Sequence, residues 1–250
     1  MLYICIPAFN EAPTVGLLLW RIRKVFEEYS RAYEIIVLDD GSTDATAETL
    51  QPYTEVLPLT VLRNERWAGY AAALDTLARA VSARTRYPRR DAMVIMQGDF
   101  TDQPEHLPEL VKRFEGGADL VIAEQSAVPR NAPPPVRRLR RVAPWLIRRF
   151  VKIPGVADPL RTFRLYRIAV VRDVLKEVGD APIAHWRGWA ANVEVLIKAA
   201  RFSRRIEAAK LEPRYDLRPR PSRVRALPEA FDLYRFGWAH RSRRIPTTTS

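Results

Sequence analysis

Three short segments of the chain carry the side chains that could do chemistry, and each follows a predicted β-strand. They read Pro7-Ala8-Phe9-Asn10-Glu11, Asp39-Asp40-Gly41-Ser42-Thr43-Asp44 and Gln97-Gly98-Asp99. Because the carboxyl ends of parallel strands meet at one edge of a sheet, these segments are expected to converge there. A carboxylate at that edge can hydrogen-bond a nucleobase or a ribose hydroxyl, and another can hold a divalent cation against a diphosphate. Each segment alone could be a local turn or helix cap, but three in register favour one shared site.

The elements that must position these segments follow a βαβα rhythm in the first half of the chain. The pattern predicts strands over residues 2–6, 34–38, 55–62, 92–96 and 119–123, with helices over 14–29, 44–50, 68–83 and 104–114. The second half predicts a strand at 163–166, helices at 168–178 and 189–200, and a strand at 206–211. This order predicts an α/β fold in which helices cover both faces of a mainly parallel sheet.

The composition is that of a globular protein with a strongly basic balance. Of the 250 residues 47% are hydrophobic, and 41 basic against 29 acidic residues give a net charge of +12. Such a charge favours phosphorylated or polyanionic partners, but the aromatic and glycine signatures of RNA-binding modules are missing, which argues against nucleic acid. Neither a transmembrane helix nor a signal peptide is expected. The single cysteine, Cys5, is predicted to be a buried strand residue in a reducing cytoplasm.

The strand-end segments, in this order, resemble a known family. Residues 6–11 and 37–44 look like the opening of the family 2 glycosyltransferases, and residues 64–74 are similar to that family's asparagine-glycine-alanine segment. Residues 96–110 resemble the metal-binding segment of its polyprenol-phosphate branch, which includes the dolichol-phosphate mannose synthases. The resemblance implies a GT-A (Rossmann-like) fold. It also implies inverting transfer of a hexose from a GDP- or UDP-linked sugar to a polyprenyl phosphate at the cytoplasmic face of a membrane.

The resemblance implies roles for matching positions. The nucleotide pocket and its rim would be formed by Pro7, Phe9, Asn10, Glu11, Gly69, Gln97 and Gly98. Asp39 would contact the base or ribose, with Asp40 beside it. Asp99 matches the last aspartate of the family's Asp-x-Asp motif, and with Thr101 it would bind Mg²⁺ or Mn²⁺. Gln97 replaces the first aspartate of that motif, which predicts weaker metal binding, and Asp102 adds a carboxylate that could compensate.

Candidate acceptor-side residues lie in the second half. Asp158-Pro159-Leu160-Arg161-Thr162-Phe163 is similar to the family segment Asp-x-x-Ser-Gly-Phe, with Arg161 and Thr162 in place of Ser-Gly. Asp158 would face the acceptor, or it belongs to a strand-entry turn. Glu194 lies where the family often has an acidic residue, or it is an exposed helix glutamate. Arg218 and Arg223 resemble a late phosphate-binding segment, or they are solvated loop arginines.

The segment 136–150 combines six arginines with apolar residues. It predicts one or two helices, broken near Pro144. Trp145, Ile147 and Phe150 could enter a lipid interface while the arginines meet anionic headgroups, each contributing about 1 kcal/mol. The alternative is a surface helix packed on the sheet. The segment therefore predicts peripheral contact with the inner face of an anionic membrane.

The acceptor decides whether a general base is needed. A sugar hydroxyl must lose a proton to a base, whereas a lipid phosphate is already ionised. No histidine lies in the strand-end segments, which favours the phosphate, although Asp102, Asp158 or Glu194 could serve for a hydroxyl. Transfer to a hydroxyl acceptor, or nucleotide-sugar binding with little catalysis, therefore stay open. Residues 1–225 are predicted to form one domain, with a donor half (1–125), an acceptor half (126–225) and a C-terminal extension (226–250).

Overall fold

A single sheet organises the computed structural model, which describes residues 1–125, 127–150, 153–216 and 224–241. Its strands are β1 (Leu2–Ala8), β2 (Tyr33–Asp39), β3 (Leu59–Arg63), β4 (Ala92–Ile95), β5 (Leu120–Glu124), β6 (Arg164–Arg167) and β7 (Ile206–Lys210). They lie in the order β3-β2-β1-β4-β6-β5-β7. Every pair is parallel except those of β6, which runs antiparallel to both β4 and β5. The predicted α/β fold with a mainly parallel sheet is confirmed.

Helices cover both faces of this sheet. They are α1 (Ala12–Glu28), α2 (Thr46–Leu50), α3 (Tyr53–Val56), α4 (Tyr70–Arg84), α5 (Leu107–Glu115), α6 (Pro134–Phe150), α7 (Ile168–Val178), α8 (Gly188–Phe202) and α9 (Ala226–His240), and a 3-10 turn (Pro104–His106) precedes α5. Helices α1 and α5 pack into one hydrophobic core. Helices α4, α6, α7, α8 and α9 pack into the core on the opposite face.

The alternation of β1 shows why two cores form. Leu2, Ile4 and Ile6 contribute to the α1 side, whereas Tyr3 and Cys5 contribute to the α4 side. Successive strand residues point to opposite faces, so a strand that is apolar throughout must be covered on both. Cys5 is fully buried, as predicted from its place in the strand.

Two sequence-based expectations were wrong in detail. Residues 55–58 do not extend the third strand, because Tyr53–Val56 forms a helical turn and β3 begins at Leu59. The break near Pro144 is also absent, since α6 runs continuously from Pro134 to Phe150. Leu139, Ala143 and Ile147 are buried on one face along this helix. Core packing on both sides of the proline therefore outweighs the local preference for a break.

Helix α9 is part of the folded core. Leu233 and Phe236 are fully buried, and the helix packs against α6 and α8. Glu229 of α9 accepts a hydrogen bond of 2.9 Å from the N–H of Trp189, in the first turn of α8. Within the described ranges, no helix has the length and apolar character needed to cross a membrane.

Candidate functional site

The register of the sheet brings the three strand-end segments together. Ala8 at the end of β1 is paired with Asp39 at the end of β2. On the other side of β1, Cys5 is paired with Ile95 at the end of β4. The segments that follow these strands therefore leave the sheet side by side. They border a cleft of about 260 Å³ lined by Pro7, Ala8, Phe9, Glu11, Asp40, Trp67, Tyr70, Ala73, Gln97, Gly98 and Asp99.

The loops after β1 and β2 are bound to each other. Asn10 has a positive φ of 52°, and its backbone N–H donates to the Ser42 hydroxyl at 2.9 Å. The Asn10 side-chain oxygen accepts from the N–H of Thr43 at 2.8 Å. The N–H of Glu11 donates to the Thr46 hydroxyl at 2.9 Å. Asn10 is not among the cleft-lining residues, so its contacts position the loop that carries Phe9 and Glu11.

Asp40 holds the loop that leads into α4. Its carboxylate accepts hydrogen bonds from the Asn64 amide at 2.7 Å, the N–H of Ala68 at 3.0 Å and the N–H of Gly69 at 2.8 Å. Gly69, with a φ of +94°, directly precedes the helix. The predicted pocket residue Asp40 thus lines the cleft and fixes the backbone between two other lining residues, Trp67 and Tyr70, whereas Gly69 is not among the lining residues.

Asp39 is fully buried beneath the cleft rather than on its surface. One oxygen accepts from the N–H of Ser42 at 3.0 Å, and the other lies 3.5 Å from Nε of the exposed Arg63. The predicted contact between Asp39 and the nucleotide stays a prediction.

Two aromatic residues that the sequence analysis missed, Trp67 and Tyr70, line the cleft together with the predicted Phe9. The rings of Phe9 and Trp67 are 6.0 Å apart and tilted by 42°, and Trp67 is 64% exposed. Gly41, with a φ of +70°, passes so close to this loop that a Cβ there would lie 2.5 Å from the carbonyl carbon of Arg66. The Tyr70 hydroxyl is buried and makes no hydrogen bond within the described ranges, and burial raises its pKa. The sequence feature that could have indicated Trp67 and Tyr70 is that they lie on either side of Gly69.

Asp99 and Thr101 supply hard oxygen atoms next to the cleft. Asp99 is 1% exposed, and one of its oxygens accepts from the N–H of Thr101 at 3.0 Å. The intervening Phe100 has a φ of 64°, which folds the segment back on itself. The Thr101 hydroxyl oxygen is buried and has no hydrogen-bond partner among the described residues. A carboxylate with a neighbouring hydroxyl fits a Mg²⁺ or Mn²⁺ site whose other ligands come from substrate phosphates and water.

Asp99 and Thr101 are the described side chains that could contribute to a metal site at this cleft. No group of three or more His, Cys, Asp or Glu side chains arranged around one metal position occurs in the part of the chain that the structure describes. Gln97 stands where the family motif has an aspartate. A cation here would depend on its phosphate ligands, which is usual for Mg²⁺ in nucleotide sites.

The positions that depart from the family motifs make polar contacts between the loop after β4 and the segment before β6. The Gln97 side chain donates to the Thr162 hydroxyl at 3.0 Å, and Arg161 forms an ion pair of 2.8 Å with Asp102. The side chains of Arg161 and Asp102 are only 4% and 1% exposed. Burial raises the pKa of Asp102; Arg161 opposes this rise and Asp99 adds to it. Arg161 therefore holds the loop that carries Asp99 through its buried ion pair with Asp102, and it does not line the cleft.

Asp158 and Glu194, which were predicted on the acceptor side, form ion pairs and hydrogen bonds within the protein. Asp158 pairs with Arg140 at 2.6 Å and accepts from the N–H of Leu160 at 3.0 Å. Glu194 is buried and lies 3.0 Å from the Lys198 ammonium. Burial alone would raise the pKa of Glu194, but hydrogen bonds from two backbone N–H groups and from Lys198 lower it. Neither residue lines the cleft, so their catalytic roles stay predictions. Arg218 and Arg223 lie outside the described residues.

Comparison with known proteins identifies the family. The model of the family described as "Glycosyl transferase family 2" matches residues 3–175, a span that contains all three strand-end segments. The chain belongs to glycosyl transferase family 2. The sequence-based recognition of this family is confirmed.

Curated relatives of this family 2 chain carry names from the polyprenol-phosphate branch. It is 26% identical over 215 residues to a prophage bactoprenol glucosyl transferase homolog of Escherichia coli K12, covering 80% of this chain and 64% of the relative. It is 27% identical over 208 residues to a dolichol-phosphate mannosyltransferase of Pyrococcus furiosus, covering 82% of this chain and 54% of the relative. The chain thus spans between about half and two thirds of the length of these relatives.

Solved structures share the fold. A glucosyl-3-phosphoglycerate synthase of Mycobacterium tuberculosis, crystallised with Mn²⁺, UDP and glucosyl-3-phosphoglycerate, matches with a TM-score of 0.66 at 20% identity, covering 99% of this chain and 81% of that one. A mannosyltransferase of Pyrobaculum calidifontis, in complex with GDP-Man and Mn²⁺, matches with a TM-score of 0.56 at 21% identity, covering 84% and 54%. At these identities the matches establish the GT-A glycosyltransferase fold.

Proposed function

We propose that this family 2 protein transfers a hexose, with inversion, from a GDP- or UDP-linked sugar to a polyprenyl phosphate. The observation that carries the proposal is the cleft at the ends of β1, β2 and β4, which is lined by Asp99 and by the ring pair of Phe9 and Trp67. A nucleoside diphosphate needs both kinds of wall: an apolar surface for its base, and hard oxygen ligands for the cation that accompanies its phosphates.

The donor would lie with its base against the aromatic wall and its diphosphate towards Asp99. Asp99, helped by the Thr101 hydroxyl and by phosphate oxygens of the substrate, would hold Mg²⁺ or Mn²⁺. When bound, such a cation stabilises the negative charge that develops on the departing diphosphate. Asp40 anchors the backbone of the loop that carries Trp67, and Asn10 anchors the loop after β1 to Thr43.

The state of the remaining carboxylates supports an ionised acceptor. Asp102, Asp158 and Glu194 were the candidates for a general base, and each is paired with a cationic side chain. None of the three lines the cleft, so none is placed to take a proton from a sugar hydroxyl there, whereas a phosphate oxygen needs no base. In the proposed reaction that oxygen attacks the anomeric carbon, a new carbon–oxygen bond forms, and the bond to the nucleoside diphosphate breaks.

The proposed site of action is the cytoplasmic face of a membrane, reached by peripheral contact. Helix α6 exposes Arg138 and Arg141, and Trp145 on the same helix is 68% exposed. Basic residues near an anionic surface contribute about 1 kcal/mol each to binding. Residues 1–125 would bind the donor, and residues 126–225 would meet the lipid acceptor.

The test is a transfer assay with the purified full chain. Labelled UDP-glucose or GDP-mannose is incubated with Mn²⁺ in detergent, with and without undecaprenyl phosphate, and the organic phase is analysed. We expect a β-linked lipid product from an α-linked donor, and Asp99→Asn should lower the rate at least about a hundredfold. Glu105→Gln, which neutralises an exposed carboxylate near the same loop, should leave the rate unchanged. A product formed only with a sugar hydroxyl acceptor would refute the proposed polyprenyl phosphate acceptor. Donor binding without any transfer would refute the proposed transferase activity.

A further inference from the structure

Helix α9 is apolar on two faces, and only one of them is covered. Leu233 and Phe236 are fully buried against α6 and α8. The other face exposes large apolar side chains, with exposed fractions of 84%, 60%, 44% and 54%, at Leu227, Phe231, Tyr234 and Trp238. We call these four side chains the α9 stripe.

The α9 stripe is a continuous surface rather than a scatter of exposed residues. The intervals of four, three and four positions place all four side chains on one face of a helix. They span about 16 Å along the helix axis at 1.5 Å per residue. Single exposed apolar residues are ordinary on soluble proteins, but a contiguous apolar face marks an interaction surface. Elsewhere in the described residues, exposed apolar pairs occur at Leu17 and Trp20 on α1 and at Val142 and Trp145 on α6.

Cationic side chains surround the α9 stripe. The Arg241 guanidinium lies 4.0 Å from the Trp238 ring, and that of Arg235 lies 5.7 Å from the Phe231 ring. The Tyr234 ring contacts Phe150 at the end of the basic helix α6, with ring centres 6.2 Å apart. The stripe is therefore continuous with a helix that exposes further arginines. Of the two acidic residues on α9, Glu229 is turned inwards to α8 and Asp232 is half-buried.

We propose that the α9 stripe inserts into the interfacial layer of an anionic lipid bilayer. Apolar and aromatic side chains on one helix face, flanked by arginines, are the composition of helices that lie in the plane of a membrane surface. Tryptophan and tyrosine favour the headgroup level, and arginine pairs with anionic headgroups. The inference rests on the membrane contact of the proposed function and deepens it, because it assigns the apolar anchor to α9 and leaves α6 as the basic contact.

Vesicle flotation of the full chain, without donor or acceptor, tests the anchor. Wild type should float with vesicles of equal parts phosphatidylcholine and phosphatidylglycerol, and much less with phosphatidylcholine alone. The double variant Phe231→Ala/Trp238→Ala should lower the partition coefficient at least about tenfold. The matched control Leu17→Ala/Trp20→Ala, which removes equally exposed apolar area from α1, should stay within about twofold of wild type.

A labelling experiment tests the same contact by a gain of signal, which a misfolded variant would not produce. Cys5, the chain's single cysteine, is buried with its pKa raised by burial, so an introduced thiol can be labelled selectively. A polarity-sensitive dye on Tyr234→Cys should shift its emission to the blue when anionic vesicles are added. The same dye on Leu17→Cys should not shift.

Several outcomes would overturn the inference. Equal losses in the α9 and α1 variants would mean non-specific adsorption. A wild-type dimer that the α9 variant dissociates, without vesicle binding, would mean that a second copy covers the stripe. Wild type that transfers sugar to a detergent-solubilised polyprenyl phosphate but does not bind vesicles would refute the α9 anchor while leaving the proposed reaction intact. Loss of vesicle binding in the α9 variant with transfer in detergent preserved is the result that the inference predicts.

Discussion

Removing the guanidinium of Arg161 should destabilise the protein far more than removing a surface arginine. Arg161→Ala leaves the Asp102 carboxylate, which is 1% exposed, without its ion-pair partner. Breaking a buried pair in this way costs about 3–5 kcal/mol of the free energy of unfolding. Arg23→Ala breaks an exposed pair with Glu27 on α1 and should leave the free energy of unfolding nearly unchanged. Both values can be read from urea unfolding followed by circular dichroism.

The cost should depend on pH in a defined direction. Burial raises the pKa of Asp102 in the folded protein, and removal of Arg161 raises it further. A carboxyl group whose pKa is higher in the folded state favours folding at pH values below its unfolded pKa. This contribution is lost as the pH rises through the folded pKa. The destabilisation by Arg161→Ala should therefore be larger at about pH 8 than at about pH 5, where Asp102 is closer to being protonated.

A second substitution separates charge burial from packing. In Arg161→Met/Asp102→Asn the unpaired buried charge is gone, so much of the lost stability should return. The expected coupling between the two positions is at least about 2 kcal/mol, measured by a double-mutant cycle. A loss below about 1 kcal/mol for Arg161→Ala, or a loss independent of pH, would refute this reasoning about the loop that carries Asp99.

Three further predictions concern the walls of the cleft and the α8–α9 contact. Gly41→Ala should lower the free energy of unfolding by at least about 1–3 kcal/mol, because φ is +70° and the new Cβ would meet the Arg66 backbone; urea unfolding measures this. Trp67→Ala should weaken UDP or GDP binding about tenfold in calorimetry, with unfolding changed by less than about 0.5 kcal/mol. Unchanged affinity would contradict the proposed contact between the nucleobase and Trp67. Glu229→Ala should cost about 1–2 kcal/mol because the Trp189 N–H loses its acceptor, and an unchanged melting temperature would contradict that.

The fold could be predicted from local patterns. Strands such as β1 and β2 are short apolar runs followed by polar turn residues, and α7 was predicted over its observed range. The strand-end segments also converge as expected, because parallel register alone brings residues 9–11, 39–40 and 97–99 to one edge. These features depend on residues that are close in sequence or on a general property of parallel sheets.

The remaining features depend on partners that are distant in sequence. The hydrophobic pattern of Arg164–Arg167 predicts a strand but not its antiparallel position between β4 and β5. Asp158 pairs with Arg140, 18 positions away, and Glu194 accepts from the N–H groups of His185 and Trp186, 9 and 8 positions away, so the sequence could not separate a catalytic acid from a structural one. The sequence of α9 is apolar on more than one side, so its exposed face can be identified only from the burial of Leu233 and Phe236 in the core.

Binding of Mn²⁺ together with a nucleoside diphosphate tests the central claim most directly. The amplitude of the free Mn²⁺ signal in electron paramagnetic resonance is followed as wild type is added, with and without UDP or GDP. We predict saturable Mn²⁺ binding that requires one of the two nucleotides, is lost in Asp99→Asn and is kept in Glu105→Gln. Nucleotide-dependent Mn²⁺ binding of equal strength in Asp99→Asn, or no binding of either nucleotide by wild type, would contradict the assignment of this cleft as the donor site.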